Sequence, residues 1–356
     1  MEIHQLLPGL HSGDAISNHA IALRNLLHAW GHTSTIYARD ISRGVDRECR
    51  PLSEFVPREN ASTVYHYSMD FDNVTELFLR CPGRRIFIYH NITPHHFLTP
   101  HNVAVARACQ NGRERLAELQ SAADIVLGDS EFNCRELAEN GFKNPRILPI
   151  LVNFQELDGT APCPAVVQQF DDAWTNLLFV GRLSPNKCQE DAVRVFARYN
   201  RFIERRSRLF LVGAWRGMES YRDELRSIVH GLDLDDYVFF TGHVTLPELV
   251  AFYRVADLFL CMSEHEGFCV PIVEAMHLDV PILAYHAAAV PGTLGGAGVL
   301  ATRKDYSLIA EMTHLLISDG NLRDAILRGQ GQRVTDFRPA SIAERFRSYI
   351  DELAAA

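Results

Sequence analysis

Ala122–Glu131 reads AADIVLGDSE, and Val255–Glu264 reads VADLFLCMSE. Both stretches carry Ala-Asp, an apolar four-residue stretch and Ser-Glu at the same offsets, at a constant separation of 133 residues. Short apolar runs of this kind, set between polar residues and helical patterns, read as buried strands of a parallel sheet. As equivalent late strands of two open sheets, both would end at the carboxyl edge, where ligands of such sheets sit. The echo therefore predicts two similar halves.

The rest of the chain fits that expectation. Apolar runs EIHQLL, TSTIYA, STVYHY, RRIFIYH, ADIVLGDS and RILPIL precede a polar, Pro-containing gap from Asn153 to Thr175. NLLFVGR, RLFLVGA, YVFFTG, ADLFLCMS and PILAY follow it. Amphipathic helical patterns such as AISNHAIALRNLLHAWG and KCQEDAVRVFARYNRF fill the spaces. Strand–helix alternation predicts an α/β chain with parallel sheets. The gap sets a boundary between residues 1–155 and 156–337. The last stretch, RPASIAERFRSYIDELAAA, is an amphipathic helix free by pattern alone to close over either half.

Bulk properties exclude several classes. At 356 residues the chain holds about two domains. A hydrophobic share of 47% and a charged share of 22% are those of a globular protein. A net charge of −9 argues against a nucleic-acid binder, because phosphate backbones need a basic surface. Eight cysteines without a CxxC pair indicate neither a zinc site nor a thioredoxin-type pair, and read as reduced cytoplasmic thiols. The N-terminal residues do not read as a signal peptide, and no window reaches 18 uninterrupted apolar residues. Asn60, Asn73 and Asn91 match Asn-x-Ser/Thr and read as chance matches in that compartment.

The chemistry concentrates in three places. In NLLFVGRLSPNKCQEDAVRVF, Arg182 ends a strand and Lys187 opens a helix. A lysine there opposes the helix dipole, unless an anion is held by the same helix end; two solvated surface cations is the competing reading. In SEHEGFCVPIVEAM (Ser263–Met276), Glu266 and Glu274 sit eight apart across Pro271, so one unbroken helix cannot hold both. Pro271 suits a first helical position, which turns the amides of Phe268, Cys269 and Val270 toward an anion. Glu274 then either complements the dipole from the first turn or accepts from ligand hydroxyls. Two cations, two carboxylates and a helix N-terminus suit a ligand with both phosphate and hydroxyls, such as a nucleotide-sugar. In LHSGDAISNHA, Gly13 and Asp14 form a loop before a helix, and His90 ends the strand RRIFIYH.

Other signals are set aside. The DFD of Asp70–Asp72 resembles a metal pair but begins a helix, where acids are expected. GGAG (Gly295–Gly298) follows no clear strand, and no P-loop, HExxH or GxSxG occurs. ARACQNGRERL (Ala106–Leu116) reads as a solvated basic helix face, with a role against anionic lipid as the minor alternative.

The sequence resembles the retaining glycosyltransferases of family 4. EGFCVPIVE is similar to their E-x7-E signature, and VGRLSPNK to their strand and loop carrying the diphosphate-binding Arg and Lys. SGDAISNHAIALRNLLHAWGH resembles their first loop and helix, YHNITP the position of their active-site histidine, and FTGHV their base-side loop. The resemblance implies a GT-B fold: two Rossmann-like domains with parallel sheets facing across a central cleft. The helix at 338–356 would pack back on the N-terminal, acceptor-side domain. It further implies that Arg182 and Lys187 neutralise the leaving diphosphate, that Glu274 binds the ribose and Glu266 sits at the donor sugar. The amides of Phe268, Cys269 and Val270 would lie near the sugar and phosphate, His90 near the reacting carbon, Gly13 near the phosphates and Val244 against the base. Asp14 and Asn18 are assigned to the acceptor side.

The implied reaction moves a hexose-type sugar from a UDP- or GDP-sugar to a glycan or lipid-linked glycan acceptor, in surface polysaccharide biosynthesis. It needs no catalytic metal and no cofactor. Two residues depart from the pattern. Cys269 stands where glycine is frequent, and Thr245 and Leu246 put no acid at the base side, which tips the base toward uridine. Cytoplasmic localisation is expected, with peripheral membrane contact left open. Two alternatives keep the fold: a nucleotide-sugar epimerase, and a non-catalytic nucleotide-sugar or glycan-binding module. A phosphorylase would be far longer and need a cofactor lysine. A dehydrogenase lacks its Gly-rich fingerprint here.

Overall fold

The computed structural model describes residues 1–355. The chain divides into two compact units. Residues 1–96, 104–152 and the stretch from 337 onward form the first; residues 97–103 and 153–336 form the second. The sequence places the boundary at 155/156 and does not anticipate the short segment 97–103.

The first unit is built on β1 (Glu2–Leu10), β2 (Ile36–Ile41), β3 (Arg50–Pro51), β4 (Ala61–Tyr67), β5 (Arg85–Tyr89), β6 (Ile125–Gly128) and β7 (Arg146–Ile147). Their spatial order is β3-β2-β1-β4-β5-β6-β7, and every neighbouring pair is parallel. The second is built on β8 (Thr175–Val180), β9 (Ser207–Val212), β10 (Val238–Gly242), β11 (Leu258–Cys261), β12 (Ile282–Tyr285) and β13 (Val299–Ala301). These run β10-β9-β8-β11-β12-β13, again parallel throughout. The α/β reading holds for both halves. β4, β6 and β11 are buried along their whole lengths; β6 and β11 therefore read as unbroken apolar runs, whereas β4 buries the polar Ser62, Thr63 and His66 among its apolar residues.

Helices cover both faces of the second sheet. The helix Gln189–Phe202 buries Ala192, Val193, Val195, Phe196 and Tyr199, a helical stripe, against Leu177 and Phe179 of β8, Leu209 and Leu211 of β9 and Leu258 of β11. On the other face, Phe252, Tyr253, Ile272 and Met276 pack on Leu178, Phe210 and Phe259. In the first unit the C-terminal helix Pro339–Ala355 inserts Ile342, Phe346, Tyr349, Ile350 and Leu353 into a core shared with Ile3, Leu23, Val64, Ile86 and Leu127.

The echo that suggested two halves does not join equivalent strands. Each unit starts from a central strand (β1, β8), adds strands outward on one side, then returns to the other. By that order β11 corresponds to β4, and β6 lies two strands further out. What the two stretches share is an edge device. Asp124 accepts a hydrogen bond from the Arg85 N–H at 2.8 Å, at the start of β5; Asp257 accepts one from the Asn176 N–H at 2.8 Å, at the start of β8. The two serines then diverge. Ser130 caps the helix Glu131–Glu139, whereas Ser263 turns toward Glu266.

Two further readings are corrected. The gap 153–175 holds two short helices, Phe154–Gly159 and Pro164–Phe170, capped by Asn153 and opened by Pro164. RILPIL supplies only the two paired residues of β7.

Candidate active site

In an open parallel sheet the crevice lies beyond the carboxyl ends of the strands at the point where the order reverses. In the second unit that point is between β8 and β11. The loop after β8 carries Arg182 and Lys187; the loop after β11 carries Glu266. The reversal therefore puts the two decisive motifs side by side.

Three strand-end glycines let the backbones close up here. The Gly181 N–H donates to Val212 at 2.9 Å, and the Gly213 N–H donates to Gly242 at 3.0 Å. A Cβ on Gly213 would meet the Gly181 carbonyl oxygen at 2.1 Å, at a φ of +154°. Only glycine fits such an approach.

Arg182 lies two residues past the end of β8, not on it, and Lys187 lies in a 3-10 turn, Pro185–Lys187, ahead of the helix. The helix starts at Gln189 with Glu190 and Asp191 in its first turn, so the dipole meets acids rather than the lysine. Cys188, between turn and helix, adopts the left-handed conformation at φ 48°.

Lys187 meets Glu266 directly: Nζ donates to Oε1 at 2.5 Å. Ser263 Oγ donates to the same oxygen at 2.9 Å. Burial pulls the Lys187 ammonium down, but its surroundings, Glu266 foremost, outweigh that, and the group is held above its ordinary value. It is a resident cation at neutral pH.

Asn186, which the sequence reading passed over, ties the two loops together. Its carbonyl accepts the N–H groups of Glu264 at 2.9 Å and His265 at 3.2 Å, and its Nδ2 donates to the His265 carbonyl at 2.8 Å. Ser184 Oγ donates to Asn186 Oδ1 at 2.6 Å, fixing the amide. Thr293 Oγ1 donates to the Phe268 carbonyl at 2.5 Å, and the Ala289 N–H donates to the Glu266 carbonyl at 3.2 Å. None of these uncharged residues has a spacing signature.

The signature helix runs Val270–His277. Pro271 is its second residue, not its first, and Glu274 falls in the second turn, which removes the dipole-complement reading from the first turn. Cys269, at the N-cap, takes φ 72°, the left-handed region that glycine enters freely and other residues enter at about 1–2 kcal/mol. Glu274 accepts a 2.8 Å hydrogen bond from the Tyr253 hydroxyl. Burial raises the Glu274 carboxyl, and the tyrosine partly offsets that. Val244 packs beside the core past β10.

The second unit thus joins Lys187 to Glu266 by direct contact. Glu274 follows on the same turn and helix. Arg182 donates to the Arg216 carbonyl at 2.6 Å, so its guanidinium is turned toward the 216–219 loop rather than onto Glu266.

The remaining residues belong to the first unit. Gly13 has φ +74°, and Asp14 caps the helix Ala15–Ala29 by accepting the Ser17 N–H at 2.9 Å. Asn18 is exposed on that helix. His90 follows β5 and is buried. Its Nδ1 pairs with Asp129 Oδ2 at 2.9 Å and its Nε2 with His66 Nδ1 at 2.9 Å; His66 Nε2 reaches Gln5 Oε1 at 2.8 Å. Burial holds His66 well below the ordinary imidazole value and raises Asp129. With both ring nitrogens engaged, a contact from this ring to a sugar requires one of those bonds to be exchanged.

Among the described residues one trio has metal-ligand spacing: Cys188, Glu190 and Asp191, with ligand atoms within 4.8 Å of one another. Burial pushes the Cys188 thiol up to about 12, and the Lys304 ammonium bonds Asp191 and Glu264. A lysine supplies the positive charge in this cluster. Asp70, from the set-aside DFD, accepts from Thr75 at 2.6 Å and pairs with Arg115; Asp72 lies outside the described side chains. Arg113 and Arg115 are committed to Glu136, Asp70 and Glu76, so the helix that reads as a basic face spends two of its arginines inside the first unit. Among the described residues no helix is long and apolar enough to cross a membrane.

Residues 168–330 match the family model for glycosyl transferases group 1. An O-antigen chain mannosyltransferase B of Escherichia coli is 29% identical over 174 residues, covering 48% of this chain and 45% of that protein. A D-inositol 3-phosphate glycosyltransferase of Corynebacterium efficiens is 26% identical over 181 residues, 50% and 43% of the two chains. The chain thus spans about half the length of these curated relatives. In fold the likeness runs end to end: the Anabaena protein HepE, in a structure with UDP and glucose, gives a TM-score of 0.76 at 16% identity, covering 99% of this chain and 100% of that one. A shared fold and a matched domain converge: the chain has the GT-B fold, and its residues 168–330 are similar to the group 1 glycosyl transferases.

Proposed function

We propose that the chain is a retaining glycosyltransferase. It moves a hexose-type sugar from a UDP- or GDP-sugar to a glycan or lipid-linked glycan acceptor, in the cytoplasm, for surface polysaccharide biosynthesis. The observation that carries this reading is Lys187 held against Glu266 at the strand-order reversal of the second sheet, with Glu274 on the helix that follows. The names of the relatives, a mannosyltransferase and a D-inositol 3-phosphate glycosyltransferase, support the class.

In this proposal Lys187 and Arg182 take up charge on the diphosphate as the anomeric C–O bond breaks. A preorganised cation acts most where charge develops, and removing one such group costs about 2–4 kcal/mol of barrier. Glu266 sits at the donor sugar and keeps Lys187 charged and aimed. Glu274 accepts from the ribose hydroxyls. The acceptor oxygen bonds the anomeric carbon on the face the diphosphate leaves, and its proton passes to the departing phosphate oxygen. Gly13, His90, Asp14 and Asn18 are assigned to the sugar, phosphates and acceptor from the first unit. No step calls for a metal.

The test is nucleotide release from UDP- and GDP-sugars, with and without glycan acceptors and with chelator. Acceptor-dependent release of UDP or GDP that survives chelation supports the proposal. A new epimer without acceptor, or binding without turnover, would replace it with an epimerase or a binding module.

A further inference from the structure

Glu274 is anchored by one oxygen only. Oε2 receives the Tyr253 hydroxyl at 2.8 Å. Oε1 has no hydrogen-bond partner among the described residues, yet it is not among the polar atoms sealed from solvent without one. A carboxylate has acceptor sites on both oxygens, so Oε1 remains open for an incoming donor.

Tyr253 is built to hold that arrangement. It comes from a different element, the helix Leu246–Val255, and is fully buried in the core under the signature helix. Its ring lies 6.4 Å from that of Phe259, close to stacked. The ring is enclosed, and of the two acceptors its hydroxyl reaches, Glu274 Oε2 at 2.8 Å lies closer than the Pro271 carbonyl at 3.4 Å. Burial, followed by the Glu274 charge, raises the phenol well above its ordinary value, so it stays an O–H donor throughout the working range. A donor fixed by packing sets the carboxylate rotamer before any ligand arrives, and a preset rotamer lowers the ordering cost of binding.

We propose that Tyr253 is a positioning residue: by fixing Glu274 Oε2 it presents Oε1 to the vicinal hydroxyls of a nucleotide ribose. This rests on the assignment of Glu274 to the ribose made above.

The experiment is calorimetric titration of the full chain with UDP and GDP and with their 2′,3′-dideoxy forms. Wild type, Tyr253→Phe and Glu274→Ala are compared. Tyr253→Phe keeps the ring and its packing while removing the hydroxyl. The expected result is that Tyr253→Phe weakens the preferred ribonucleotide about tenfold, the scale of one hydrogen bond to a charged group. It leaves the dideoxy form bound as in wild type, so the ribose preference shrinks. Equal weakening of both forms, or no weakening of either, overturns the positioning role. A Glu274→Ala protein that keeps the full ribose preference overturns the ribose assignment itself, and is told apart because Glu274 is then silent before Tyr253 is considered.

Discussion

Lys187 is a cation whose burial works against its charge. The 2.5 Å contact with Glu266 is foremost among the interactions that raise the ammonium. Its worth to turnover is therefore separable from its worth to folding. Lys187→Ala is expected to lower the rate at saturating donor roughly 100- to 1,000-fold. Stripping Glu266 of its cation is also expected to cost up to about 3–5 kcal/mol of stability, with a native circular dichroism spectrum at 25 °C. Unchanged turnover at saturating donor would remove Lys187 from the mechanism. Glu274 gives a pH signature. Its carboxyl is raised by burial, and only the ionised form keeps both oxygens as acceptors, Oε2 for Tyr253 and Oε1 for the proposed ribose hydroxyls. Nucleotide affinity should thus fall as pH drops, starting above the ordinary carboxylate range, and Glu274→Gln should flatten the curve; a wild-type curve flat down to pH 4 would contradict this. The charged members of the site were legible in the sequence because charge beside glycine and proline is conspicuous. Asn186, Ser263, Tyr253 and Thr293 were not. They act through hydrogen bonds to backbone or side chain, and such contacts leave no period or motif.

At the scale of elements, strands were easier to read than their places. β8 and β11 declared themselves as apolar runs, since both faces of a parallel sheet are covered. Their adjacency did not, because strand order depends on which side each crossover returns to. The echo of Ala122–Glu131 in Val255–Glu264 pointed to two halves through a device that any inner strand can use. An aspartate binds an N–H at the start of the neighbouring strand, and the resemblance says nothing of equivalence. β3 and β13, of two and three residues, are too short to show a pattern. The backbone approach at Gly213 is equally silent in sequence, yet it fixes how close β8 and β9 end. Gly213→Ala would set a methyl against the Gly181 carbonyl oxygen at a φ that alanine resists. It should cost about 2 kcal/mol or more in denaturant unfolding, with the midpoint lowered. A loss under half a kcal/mol would mean that the strand ends have room to part.

For the whole molecule, the chain closes its first unit with its last helix. Ile342, Phe346, Tyr349, Ile350 and Leu353 are buried among strands that begin at residue 2. Five such side chains stabilise by about 1.5–3 kcal/mol each, which together is comparable to the usual net stability of a domain. Deleting residues 338–356 should expose the amides of β1, β4, β5 and β6 to hydrogen exchange while β8, β9 and β11 keep their protection. Equal loss in both sheets would mean that the two units do not fold separately. The fold class was readable from alternation alone, and the return of the final helix came only from the family resemblance.

The central claim is that a nucleoside diphosphate is held where β8 and β11 end, by Lys187, Arg182 and Glu274. Calorimetric titration of the intact chain with UDP and GDP, beside an Arg182→Ala/Lys187→Ala double variant, tests it most directly. One of the two nucleotides should bind one-to-one and lose about 100-fold or more in the variant, the effect of removing two charge-assisted contacts. Binding of neither nucleotide by the wild type, or equal affinity in the two proteins, would contradict the account.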